Sequence, residues 1–381
     1  MDDLKDNLVT TMGLPMFRSC SQRRESMRPT ENSTTRREFV RNATIGAAGI
    51  SIMGALEAAG QEPKARKPAP TQGPRGVLPH VPDGTKYGHL IKRMNLPEKP
   101  NYDHPKMPAN ADAMAWPRGD ELGGININLS WGHYSQVGLW QPWEPGGHYH
   151  PSGDECLIFV GLDASRPEYL GAECEFDAGK EYERYIFRVP TICCWPKNVV
   201  HLPQWTLKNE KAFAFIVCSL ESGHETIELP KRSVLETTEG NKYDHLYKKM
   251  VFRRDIKAKT GPGNADALAW YMGKDLENFD ANFAFGYYSA TGDWGAKPHK
   301  HGSDQVLAFV GLDDKRPNYL GAEIEISLGE EQEKHLITVP SFVICKAGFS
   351  HGPIVTKKVD IPFGFYSVRQ DKGDASETNP A

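Results

Sequence analysis

The chain has 381 residues, 39% hydrophobic and 25% charged, enough to bury a sizeable core and to divide into two compact domains. The formal net charge is −4, so no basic surface argues for nucleic acid as a partner.

The N-terminal region reads as an export signal. Arg36-Arg37-Glu38-Phe39 precedes the mildly apolar run ATIGAAGISIMGAL (43–56), and small residues follow at Ala58 and Ala59. Twin arginines, a Gly/Ala-rich apolar run and a small-residue end form the pattern of a Tat signal. It predicts the Tat export machinery as a partner and a periplasmic or extracellular location, with an uncleaved signal able to act as an anchor. A start at Met27 would give the short, Arg-containing leader expected of such signals, so residues 1–60 stay outside the fold reading. Residues 61–86, rich in Pro, Gly and Lys, have linker composition, and 369–381 form a polar tail. Between them no apolar stretch is long enough to span a bilayer.

An internal repeat decides the fold class. FVGLDASRPEYLGAE (159–173) recurs as FVGLDDKRPNYLGAE (309–323), with 12 of 15 positions identical. NADAMAW (110–116) recurs as NADALAW (264–270), and YGHL (87–90) as YDHL (243–246). A unit of about 150 residues is a duplicated domain, not a solenoid repeat. The boundaries fall at 87–232 and 233–368. Within each unit the apolar runs are short and rich in β-branched and aromatic residues: CLIFVGL, RYIFRVP, TICCW and AFAFIVCSL, then VLAFVGL, HLITVP, SFVIC and IPFGFYSV. Gly, Pro, Asn and Asp punctuate them at the intervals of an all-β sandwich or barrel. Helical patterns are few; DHLYKKMV (244–251) is the best of them. Cys156, Cys174, Cys193, Cys194, Cys218 and Cys345 lie mostly inside apolar runs and read as buried thiols.

Each unit carries a histidine cluster. GGHYHPSGDE places His148, His150 and Glu155 together. Alternate residues on a strand share a face, so the two imidazoles can meet one ion. WPKNVVH adds His201, 53 residues after His148; in the second unit PHKHGSDQ gives His299, His301 and Gln305, and CKAGFSH ends in His351, 52 residues after His299. A lone His-x-His is weak evidence, but two clusters with matching distant histidines favour metal. Imidazole with carboxylate suits Mn, Fe, Co, Ni or Zn.

These motifs resemble the cupin superfamily, specifically the bicupins. HYHPSGDE followed by Gly161 is similar to the family's first motif. Pro196-Lys197-Asn198-Val199-Val200-His201 is similar to the second, with Asn at its glycine position. The resemblance covers about residues 87–368. It implies two tandem jelly-roll β-barrels with a metal inside, held by His148, His150, Glu155 and His201 and by His299, His301, Gln305 and His351. Gln305 departs from the family's usual Glu. Three imidazoles and an amide leave a divalent ion at +2 instead of +1, so the second site should be the stronger Lewis acid and the weaker trap.

Around the clusters, Trp131, Trp140, Trp143 and Tyr134, and in the second unit Tyr287, Tyr288 and Trp294, read as barrel core, domain interface or substrate walls. Arg188, whose repeat partner is Thr338, is either a surface residue or a bidentate carboxylate clamp. Glu144 is a candidate acid/base. Arg166, Arg316, His89 and His245 recur in both units and read as scaffold.

The resemblance implies a metal-dependent enzyme, of decarboxylase or oxidase/dioxygenase type, acting on a small carboxylate or phenolic compound. The competing readings are a non-catalytic ligand-binding or structural bicupin and a sugar isomerase or epimerase of the same barrel. Folding before Tat export lets the metal load in the cytoplasm, which favours Mn or Fe over Zn, Ni or Co. A homo-oligomer is compatible with the sequence.

Overall fold

The computed structural model describes residues 76–78, 83–96, 110–140, 146–230, 237–254, 263–295 and 297–373. The export signal, most of the linker, Trp143, Glu144 and residues 374–381 lie outside them. The described chain is all-β. Its helices are 3-10 turns of three residues each, Gly88–Leu90, Asp244–Leu246 and Gly273–Asp275.

The first repeat builds a seven-stranded sheet in which Glu155–Gly161 lies between Thr191–Trp195 and Phe213–Ser219. A second sheet with His148–Tyr149, His201–Asn209, Ala172–Ala178 and Glu183–Phe187 faces it. The second repeat matches: Gln305–Gly311 lies between Ser341–Cys345 and Phe363–Arg369, faced by a four-stranded sheet containing His351–Val359 and Ala322–Leu328.

Alternation explains why the central strands are apolar throughout. Along Glu155–Gly161, Leu157 and Phe159 point into the first barrel's core, whereas Cys156, Ile158 and Val160 point into a core shared with the second repeat. Leu307 and Phe309 fill the second barrel while Val306, Ala308 and Val310 face the shared core. Both faces of each large sheet are therefore dry, and parity sends Glu155 and Gln305 to the barrel side. Parity also sends Cys156 and Cys194 away from the histidines; all six thiols among the described residues are free and buried.

The described aromatic residues of these runs are core. Trp140 stacks on Tyr134 at 4.3 Å and donates its Nε1–H to Thr206 Oγ1 at 2.8 Å; Trp294 stacks on Tyr288 at 4.4 Å and donates to Thr356 at 2.8 Å. Trp131 crosses into the shared core, against Phe285 and Tyr366 of the second repeat.

The repeats exchange a strand. Ile91–Arg93 pairs with Ser341–Cys345 of the second repeat, and Tyr247–Lys249 pairs with Thr191–Trp195 of the first. The repeat in sequence and the sheet in space thus differ by one strand. The exchange also corrects the helical reading of DHLYKKMV. Only Asp244–Leu246 turns, because the residues after it hydrogen-bond to the other repeat's sheet, and tertiary pairing overrides local propensity.

Candidate metal centre

In the first barrel, His148 and His201 are register partners on adjacent strands, so their rings start side by side. Gly147, at φ 76°, allows that approach: a Cβ there would meet Leu202 O at 2.9 Å. The turn before His201 closes with Asn198 N donating to His150 O at 2.9 Å, which ties the distant histidine to the His-x-His strand. Ring centroids are 4.5 Å apart for His148–His201, 5.0 Å for His148–His150 and 5.3 Å for His150–His201. Exposure runs from 9% at His148 down to 1% at His201, and Glu155 is 2% exposed. The four residues expected from the sequence are brought together.

The hydrogen bonds set the imidazole tautomers. His150 Nδ1–H donates to Glu225 O at 2.8 Å, and His201 Nδ1–H donates to Val199 O at 3.1 Å. Each neutral ring therefore turns a bare Nε2 lone pair inward, and neither Nε2 has a hydrogen-bond partner. Both lie 3.4 Å from the same oxygen, Glu155 Oε2. Two lone pairs aimed at a carboxylate in a dry site repel unless a positive charge sits among them.

The acid–base balance agrees. Burial holds His148 well below the usual imidazole range, and its two histidine neighbours add to that. Burial also lowers His201, against Glu155. Burial would lower His150 too, but the Glu155 carboxylate outweighs it and raises the pKa. Burial pushes Glu155 up, yet the imidazoles hold it well below the carboxylate range. A proton on His150 and a divalent cation thus compete for one lone pair, and the donor set fits such a cation.

Two side chains that the sequence reading missed complete the site. His224 Nδ1 lies 3.3 Å from Ser219 Oγ and 3.9 Å from both Glu155 Oε1 and Glu221 Oε1, with its ring 4.6 Å from His150. His150, Glu155 and His224 form a second set with metal-ligand spacing. Burial holds His224 well below the imidazole range and raises Glu221. Trp116 packs edge-on against His224, and Arg118 Nη1 donates to Gly223 O at 2.8 Å, fixing the turn that carries it. In the second repeat Glu221 is matched by Asp371, whereas His224 has no histidine counterpart.

Arg188 does not join the site. It is half exposed and pairs with Glu173 at 2.9 Å, on the side of Ala172–Ala178 opposite the core-facing Cys174 and Phe176. The clamp role is corrected: that face of the strand points away from the barrel interior. Glu144 lies outside the described residues.

The second cluster gathers His299, His301 and His351, with centroid distances of 4.4–5.3 Å. Its turn is the same, with Gly348 N donating to His301 O at 2.8 Å. Burial lowers His351 to about 3 and His301 to about 4, with Arg369 the next cause at His301.

No protein-family model and no curated protein matches the chain. Among solved structures it is similar to an oxalate decarboxylase described for its substrate binding mode and reaction specificity switch, at 10% identity over 70% of this chain and 74% of that one, TM-score 0.47. The Bacillus subtilis oxalate decarboxylase described for its Mn(II) centres aligns at 9% identity over the same shares, TM-score 0.45. These likenesses are distant, and the reading of the site rests on its own geometry.

Proposed function

We propose that the chain is an exported bicupin enzyme that uses a divalent metal to convert a small carboxylate or phenolic compound, by decarboxylation or by oxidase/dioxygenase chemistry. One observation carries the reading: the partnerless Nε2 atoms of His150 and His201 share the Glu155 oxygen at 3.4 Å. His148, His150, Glu155 and His201 would hold the ion. When bound, it would polarise a substrate oxygen and, if redox-active, support reaction with dioxygen. Mn or Fe suits cytoplasmic loading before export, and the twin arginines Arg36-Arg37 support that route.

The chain's own groups supply the rest. Near-complete burial of the four ligands limits the substrate to a small one and keeps bulk water out. Glu221, a carboxyl that burial makes reluctant to ionise, can hold a proton at Oε1 facing His224 Nδ1. His224, neutral and 4.6 Å from the His150 ring, stands where it can pass that proton to or from a bound substrate. Arg118 and Trp116 hold it there.

The test is to strip the protein with chelator, restore Mn, Fe, Co, Ni or Zn singly, and follow CO2 release and oxygen uptake with small dicarboxylic and phenolic acids. Turnover should return with Mn or Fe. Turnover undiminished by stripping contradicts the reading.

A further inference from the structure

The two barrels differ at the fourth ligand and again at the strand position facing it. In the first barrel Ser219 lies opposite Glu155; in the second, Arg369 lies opposite Gln305. Arg369 is 7% exposed and ion-paired to Asp371, with Nε–Oδ2 at 2.7 Å and Nη2–Oδ1 at 3.0 Å. Its Nη1 lies 3.1 Å from His301 Nδ1. A guanidinium only donates, so His301 Nδ1 is the acceptor and the neutral ring carries its proton on Nε2. The first barrel's equivalent, His150, has the opposite tautomer.

The other two rings keep metal-ready tautomers. His299 Nδ1–H donates to Lys297 O at 2.9 Å and His351 Nδ1–H to Phe349 O at 3.3 Å, leaving two bare Nε2 acceptors. The cluster therefore presents two acceptors and one N–H donor, beside an amide in place of a carboxylate. A water molecule satisfies all three imidazoles: it donates to His299 and His351 and accepts from His301. A divalent cation would meet the His301 Nε2 proton with an amide in place of an anionic ligand, because the Asp371 carboxylate is already taken up by Arg369.

We infer that the second cluster holds a water in place of an ion, that the chain binds one divalent metal, and that Arg369 with Gln305 sets this difference. The inference rests on the first cluster being a metal site.

The test is Mn(II) content by elemental analysis after equilibrium dialysis of the full chain, with folding checked by circular dichroism. Wild type should bind one ion per chain, His299→Ala one, and His148→Ala none. The double variant Gln305→Glu/Arg369→Ser, which copies the first barrel's residues, should bind two. Two ions in wild type, loss of the ion in His299→Ala, or a folded double variant still holding one would each overturn the inference. No ion in wild type would instead overturn the proposed function.

Discussion

At the scale of single residues, the chemistry is set by which nitrogen of each histidine is spoken for. Backbone carbonyls take the Nδ1 protons of His150 and His201 and aim the lone pairs inward; a guanidinium does the reverse to His301. A different buried histidine gives a pH test clear of the clusters. His133 is fully enclosed between the repeats, with Nε2–H donating to Gly311 O at 3.2 Å, and burial lowers its pKa to about 4. The unfolded imidazole protonates near its ordinary value of about 6.5, so below that the unfolded chain binds the extra proton and stability falls with pH until the folded ring also protonates near 4. From about pH 7.5 to about pH 5 this single group costs about 2 kcal/mol. Denaturant melts should show His133→Gln losing less stability than wild type over that interval by about this amount; an equal loss contradicts the assignment. The histidines were legible in the sequence because both repeats carry them at nearly the same spacing, 53 and 52 residues from first to last. His224 and Arg369 were not, because each occurs in one copy only and repetition passes over them; Glu221, aligned with Asp371, lies outside the motifs.

At the scale of elements, the turn before each distant histidine matters most. Asn198 stands at φ 65° where its counterpart Gly348 stands at φ 76°, so the sequence difference at the motif's glycine position leaves the backbone unchanged. Asparagine is among the few side chains that adopt the left-handed region readily. A β-branched residue there is strained by about 1–2 kcal/mol. Asn198→Val should therefore lower stability by that amount and loosen His201, whereas Asn198→Gly should stay near wild type; equal melts for the two variants would refute this. Lys346 in place of Pro196 likewise leaves the turn intact, as Ala347 N and Lys197 N each donate to the aspartate after their His-x-His segment, at 2.8 and 3.0 Å. The exchanged strands could not be read from the sequence. When two repeats are nearly alike, pairing within a copy and pairing between copies present the same apolar pattern.

At the scale of the whole molecule, duplication gives two barrels one common core. Trp131, Phe285 and Tyr366 lie between the large sheets, and Tyr287 and Tyr366 donate their hydroxyls across the repeats to Gly161 O and Ser130 O at 2.8 and 2.9 Å. The all-β class and the twofold duplication were legible from strand-length apolar runs and the recurring FVGLD segment. The shared core was not, because a strand dry on both faces reads the same whatever covers its second face. That core frees the barrels to differ at their ligands without differing in fold. Mn(II) binding to the chelator-stripped chain, followed by loss of the free-ion paramagnetic resonance signal, tests the central claim that the first barrel holds a divalent ion. Wild type should remove one equivalent from solution and His201→Ala should remove none; a His201→Ala chain that takes up Mn(II) as well as wild type would contradict the account.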